Sequence, residues 1–103
     1  MAAASEHLSV MSLPPSVTFT DAVACSHAMR KDILAACTAC GRHGTVVIDA
    51  GAVRFFDSSA LAVLLQCRRD AAAQGCRVAI KHMPEKLREL THLYGVAELL
   101  PDA

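Results

Sequence analysis

Two short apolar segments separated by a long helical stretch constrain the fold of this chain most strongly. The segments TVVID (residues 45–49) and CRVAI (residues 76–80) are compact and rich in β-branched side chains, as strands covered on both faces usually are. Residues 58–74 lie between them, contain no Gly or Pro, and precede Gly75, which predicts a helix. A strand, a helix and a second strand in this order imply a crossover, so we expect an α/β fold with an at least partly parallel sheet.

The N-terminal part of the chain adds two further strand candidates. Residues 8–13 (LSVMSL) alternate apolar and polar side chains, which is the period of a half-buried strand. Pro14 and Pro15 end this run, since neither can donate a hydrogen bond to a sheet. Residues 16–20 (SVTFT) form a second short β-branched run. We expect the two runs to form a hairpin or a pair of edge strands.

A long amphipathic helix follows the second run. Thr20 or Asp21 is a suitable N-cap, and Gly41 and Gly44 end the helix. Its apolar side chains recur at helical spacing; they are Ala22, Cys25, Met29, Ile33, Ala36, Cys37 and Cys40. A last helix begins near Pro84. The predicted order is ββαβαβα, with a central mixed sheet of about four strands flanked by about three helices.

Length, charge and hydropathy restrict the class of protein. The 103 residues suggest one domain, which we place at residues 8–101 behind a flexible tail at residues 1–7. The formal net charge is zero, which argues against nucleic-acid binding because such binding needs a basic surface. No apolar run reaches the roughly 20 residues that span a bilayer, so we expect no membrane insertion. The N-terminus lacks the features of a secretion signal, which predicts a cytoplasmic protein.

The cysteines raise the question of a redox or metal site. The chain has five of them, and the segment CTAC (residues 37–40) has the spacing of either kind of site. No second CxxC and no suitable His pair accompany it. An odd number of cysteines without a secretion signal indicates reduced thiols. We therefore interpret these cysteines as core residues and expect neither a metal ion nor another cofactor.

The segment FFDSSALAVLL (residues 55–65) is the strongest candidate for a functional site. Ser58 does not stand in the GxSxG context of a hydrolase nucleophile, and the chain has no glycine-rich phosphate-binding motif. Asp57 can accept hydrogen bonds from the first N–H groups of a helix. Turn capping also explains Asp49 more simply than paired acid–base or metal chemistry does. These features favour a binding module over an enzyme.

A phosphorylation switch is a further interpretation of Ser58. A hydroxyl at a helix N-terminus just after a strand lies at one rim of the sheet, where a phosphate would add about 1.5 to 2 negative charges. The helix dipole tolerates this charge. The domain would therefore stay folded while a docked partner was repelled.

The sequence around Ser58 resembles the STAS domain, the fold of bacterial anti-sigma-factor antagonists. The family pattern is an apolar strand ending in Asp, a loop, Asp-Ser-Ser/Thr-Gly-Leu at the start of a helix, and then Gly and a strand. Here the pattern falls on residues 46–49, 57–61, Gly75 and 78–80. In the antagonists a partner anti-sigma kinase phosphorylates the serine after the Asp, so the resemblance implies phosphorylation at Ser58.

The C-terminal segment LRELTHLYGVAELLP (residues 87–101) is similar to the end of the MlaB-type STAS subunit of the Mla lipid-asymmetry transporter. That subunit binds the cytosolic face of the ABC ATPase. The resemblance implies an ABC ATPase as the partner, with an anti-sigma kinase as the alternative, and a position at the inner membrane through that partner. It also implies that six residues lie near the interface: Phe55, Phe56, Asp57, Ser58, Ser59 and Leu61.

Two details of this segment lead to expectations about a partner. Phe55 and Phe56 are adjacent and cannot easily both face inward, so either one of them is an exposed anchor or both pack under the helix. Ala60 stands where the family usually has Gly. A partner that fits closely over a Gly is expected to meet an extra methyl group there.

Overall fold

The structure, a computed structural model, describes residues 8–103, and the tail expected at residues 1–7 lies outside this range. The helices and strands follow one another in this order: β1 (Leu8–Ser12), β2 (Ser16–Val17), α1 (Ala22–Cys40), β3 (Thr45–Asp49), β4 (Phe55–Phe56), α2 (Ser59–Ala73), β5 (Arg77–Lys81) and α3 (Glu85–Leu93). A 3₁₀ turn (Ala97–Leu99) follows. This is the predicted order with one additional short strand, β4, in front of α2.

Three strands form the central sheet in the order β1–β3–β5, and both pairings are parallel. In the middle of the sheet Val10 lies opposite Val47, which lies opposite Ala79. On the far side of β5, the Ile80 N–H donates to the Pro101 carbonyl at 2.8 Å, and the Ala103 N–H donates to the Ile80 carbonyl at 2.8 Å. The C-terminal residues therefore continue the sheet beside β5.

Of the two expectations for the N-terminal runs, the hairpin is wrong, because β1 and β2 do not pair with each other, whereas both are edge strands of their sheets. β1 pairs with β3, and β2 pairs with β4 in a separate two-stranded parallel sheet, so every pairing between the described strands is parallel. The two prolines between β1 and β2 have φ fixed at about −65°, whereas the favoured two-residue hairpin turns require positive φ. Instead the Pro15 carbonyl accepts hydrogen bonds from the N–H groups of Arg54 (2.7 Å) and Phe55 (3.0 Å). These bonds direct the chain to β4.

The core lies between the sheet and the first two helices. α1 packs on β1 and β3, α2 packs on β5, and the two helices pack on each other. The helical spacing predicted for α1 is confirmed, because five of its seven apolar positions are buried and Ala22 and Ala36 pack against the core. Since the crossover leaves β3 at its carboxyl end, α2 begins at the carboxyl edge of the sheet.

All five cysteines are free and buried, as their interpretation as core residues predicts. The Cys40 and Cys76 sulfur atoms lie 3.9 Å apart, where the end of α1 meets the start of β5. Burial raises the pKa of the Cys67 thiol to about 12. This thiol therefore stays protonated near neutral pH and contributes to packing rather than to chemistry.

Candidate functional site

Asp57 joins two separate segments at the start of α2. Its Oδ1 accepts a hydrogen bond from the Ser59 N–H at 2.8 Å, which satisfies one of the free donors of the first helical turn. Its Oδ2 accepts a second hydrogen bond, at 3.0 Å, from the N–H of Phe19, in the loop between β2 and α1. The capping role follows from the sequence, whereas the bond to Phe19 was not predicted because it joins residues far apart in the chain.

These hydrogen bonds favour the ionised form of Asp57. The N–H groups of Phe19 and Ser59 hold the pKa of its carboxyl below the usual range. Asp21, the last residue of the loop between β2 and α1, also accepts hydrogen bonds. Its Oδ2 accepts from the Ser16 hydroxyl at 2.6 Å and from the Thr18 hydroxyl at 3.0 Å. Asp21 stands at the N-cap position of α1, but its side chain makes no capping bond to the helix. Two carboxylates, those of Asp21 and Asp57, thus hold the loop between β2 and α1 through hydrogen bonds.

We expect Asp57→Asn to lower the melting temperature at pH 7, because an uncharged amide oxygen replaces a carboxylate that two N–H groups stabilise. The pKa of Asp57 is lower in the folded protein than its unfolded value of about 3.9, so this contribution is complete above pH 4 to 5. It is lost as the pH falls through the folded pKa. Thermal melts from pH 7 to pH 2 should show a difference between the two proteins that shrinks on acidification. Asp32→Asn, on the exposed face of α1, is the control for loss of one charge, and an equal effect of both changes at every pH would contradict the role of Asp57.

Ser58 presents its hydroxyl at the surface. The residue is exposed, has helical backbone angles (φ −62°, ψ −15°), and its side chain makes no capping hydrogen bond to α2. The shallow pocket beside it is lined by Leu61, Ala62, Leu65, Tyr94 and Val96, and none of these side chains is a base. Ser58 is therefore accessible to another protein, and no side chain that lines this pocket could act as a base on its hydroxyl.

The other predicted site residues divide between surface and core. Phe55 is 68% exposed, whereas Phe56 packs against the core, so one of the two adjacent aromatics does face solvent. Ser59 is half-buried, and Leu61 is buried beneath the pocket that Ser58 borders. Phe55 and Ser58 thus offer far more surface to another protein than Leu61 does.

The position of Ala60 contradicts the expectation that a docked partner meets its methyl group. Its side chain is buried in the core cluster rather than at the surface of α2. The methyl group that distinguishes Ala from the usual Gly therefore points into the domain. A partner that docks on the start of α2 does not meet it, so the departure from the family pattern concerns packing and not recognition.

Exposed apolar side chains from other segments lie near the start of α2. Phe19 is 77% exposed, Leu93 76% and Tyr94 57%. The backbone N–H of Phe19 donates to the Asp57 carboxylate. Leu93 lines a groove together with Phe55, and Tyr94 lines the pocket beside Ser58. We call the set Phe19, Phe55, Ser58, Leu93 and Tyr94 the docking rim.

Three members of the docking rim, Phe19, Leu93 and Tyr94, are not among the six site residues that the resemblance implied. Phe19 falls in the β-branched run SVTFT, and its neighbour in space, Asp57, is distant in sequence. Leu93 could have been recognised from the sequence as an exposed apolar residue, because it lies outside the face of α3 that contains the buried residues Leu87 and Thr91. A large apolar side chain on the exposed side of a short helix is the relevant signal.

The two carboxylates considered as an acid–base pair have separate structural roles. Asp49, at the end of β3, accepts a hydrogen bond from the Gly51 N–H at 2.8 Å, and the same oxygen lies 3.2 Å from His82 Nδ1. The Gly51 N–H and the His82 ring hold the pKa of Asp49 below its usual range. Asp57 binds the N–H groups of Phe19 and Ser59 instead. Turn capping therefore accounts for both residues.

Comparison with protein families identifies the fold. A family model described as the MlaB STAS domain matches residues 5–101. The chain belongs to the STAS domain family. STAS domains are in general non-enzymatic regulatory domains. No curated protein sequence matches the chain.

The length and composition of a helix determine whether it can cross a membrane. Within residues 8–103, none of the STAS helices combines the length and the apolar composition that crossing a membrane requires.

Proposed function

We propose that this STAS protein is a non-enzymatic accessory subunit that binds the cytosolic ABC ATPase of a phospholipid transporter and stabilises or activates it. The transporter would maintain the lipid asymmetry of the outer membrane, and the chain would lie in the cytoplasm, held at the inner membrane by its partner. The proposal is supported by the MlaB name of the matching family model and by the similarity of residues 87–101 to the MlaB-type subunit.

The docking rim is the observation that carries the proposal. Four large apolar side chains at more than half exposure lie on segments that meet near the start of α2, where Ser58 makes no capping hydrogen bond. Exposed apolar side chains grouped in this way on a small domain favour protein–protein contact, and aromatic side chains are the usual anchors of such contacts. The rim therefore supplies the surface that binds the ATPase.

Regulation needs only binding energy. If the chain binds one conformation of the ATPase more tightly than another, it increases the population of that conformation by the ratio of the two affinities. An ATPase held in the conformation that hydrolyses ATP turns over faster, and one whose folded state is bound becomes more stable. Neither effect requires a catalytic group on the STAS chain.

Titration of the purified chain into the purified ATPase tests the proposed function. We expect the two proteins to co-elute as one complex and the rate of ATP hydrolysis or the melting temperature of the ATPase to rise in a saturable manner. The chain alone should hydrolyse no ATP. Failure of the two proteins to form a complex, at concentrations of tens of micromolar, would contradict the proposed function.

A second candidate is an anti-sigma-factor antagonist, which the exposed and uncapped hydroxyl of Ser58 favours. In this case the partner is an anti-sigma kinase that transfers the γ-phosphoryl group of ATP to the serine hydroxyl. Incubation with such a kinase and ATP, followed by mass spectrometry, should then locate one phosphate on Ser58 and none in Ser58→Ala. An unmodified Ser58 after such an incubation would exclude this candidate.

A further inference from the structure

A groove between β4 and α3 extends from the docking rim. Its volume is about 770 Å³. Phe56 from β4 and Leu90 from α3 are half-buried along it, and Phe55 and Leu93 stand at its edges with most of their surface exposed. Four of the residues that line the groove are therefore large and apolar, and two of them, Phe55 and Leu93, also belong to the docking rim.

The groove also carries an uneven distribution of charge. Arg54 and Lys86 line it, and Glu89 is the only carboxylate among the described residues that line it. Arg54 donates to the Gly51 carbonyl at 3.2 Å, and within residues 8–103 neither Arg54 nor Lys86 forms a salt bridge with a carboxylate. Two cations that form no salt bridge with any described carboxylate therefore flank the apolar side chains of the groove.

We propose that the groove receives an amphipathic segment of the partner ATPase in which apolar side chains alternate with acidic ones. This inference rests on the proposed function and specifies the chemistry of the partner. The apolar side chains of the segment would cover Leu90 and Leu93. Its carboxylates would lie against Arg54 and Lys86, where charge complementarity fixes orientation and increases the rate of association. The groove continues the docking rim, so one partner surface covers both.

The sign of the charge effects tests the inference. We expect Lys86→Glu to weaken binding to the ATPase about tenfold or more, and Glu89→Lys to strengthen it several-fold, because the second change removes the one carboxylate of the groove. Both residues are exposed on α3, so neither change disturbs the core. Binding of the wild-type chain should weaken as salt is added, and binding of Glu89→Lys should weaken more steeply.

Leu93→Ser tests the apolar part of the groove, and two changes on α1 provide matched controls. We expect Leu93→Ser to weaken binding about tenfold with little change in the melting temperature, because the side chain is 76% exposed in the free chain. Lys31→Glu reverses an exposed charge and Val23→Ser removes an apolar side chain that is 71% exposed, both outside the groove. These two variants should bind as the wild-type chain does.

The outcomes separate the inference from the proposed function. If the wild-type chain binds the ATPase but Lys86→Glu and Leu93→Ser bind equally well, the inference is wrong and the proposed function stands. If Glu89→Lys weakens binding, the partner segment is not acidic and the inference is also wrong. If the wild-type chain itself does not bind, the proposed function fails and the inference fails with it.

Discussion

We expect Ser58→Glu to weaken binding of the chain to the proposed partner, an ABC ATPase, by roughly 100-fold or more. Ser58 borders a pocket lined by Leu61, Leu65 and Tyr94, so a partner docked on the rim would enclose the new carboxylate in a largely apolar contact. A buried charge without a partner commonly costs several kcal/mol, which corresponds to this loss of affinity. Titration calorimetry with the purified ATPase measures the effect.

The same substitution should leave the domain folded. A negative side chain at the N-terminus of α2 interacts favourably with the helix dipole. The melting temperature should therefore change little, which distinguishes a damaged interface from a damaged fold. Ala72→Glu is the matched control, because it places the same charge on an exposed position of the same helix, about 21 Å along its axis. Normal binding by Ser58→Glu, or equal losses in both variants, would contradict the docking rim.

Leu64→Ala should have the largest effect on stability. Leu64 lies on α2 and is fully buried in the core cluster, so shortening it removes apolar contacts and leaves a cavity. Such changes cost about 2–5 kcal/mol in the free energy of unfolding. Urea denaturation followed by circular dichroism measures this loss as a lower midpoint.

Leu34→Ala is the control for the chemistry of this substitution. Leu34 is on α1 but exposed, and Ala is a good helix former, so we expect a loss of less than about 1 kcal/mol. If the two leucine variants lose similar stability, the core does not lie between α1, α2 and the sheet as described. A large loss in Leu64→Ala alone supports the packing of these layers.

The order of helices and strands could be predicted because its signals are local. The β-branched segments at β3 and β5 and the apolar spacing of α1 each lie within one stretch of sequence. The capping of α2 by Asp57 could be predicted for the same reason, because donor and acceptor are only two residues apart in the sequence. The start of α2 could therefore be recognised as a candidate site before its surroundings were known.

The surroundings of the site could not be predicted because they depend on distant pairings. The run at β2 suggested a hairpin with β1, yet its partner is β4, which is two residues long and too short to show a periodic pattern. The pairing of β2 with β4 and the Phe19–Asp57 hydrogen bond bring Phe19 to the site. Leu93 and Tyr94 reach it through the packing of α3, which the sequence of α3 alone does not specify.

A structure of the chain bound to its ABC ATPase, determined by electron cryo-microscopy, tests the central claim most directly. The account predicts that Phe55, Ser58, Leu93 and Tyr94 are covered by the ATPase and that α1 leaves its exposed face in solvent. A complex in which the ATPase binds another face of the domain, with Ser58 and its apolar neighbours open to solvent, would contradict it.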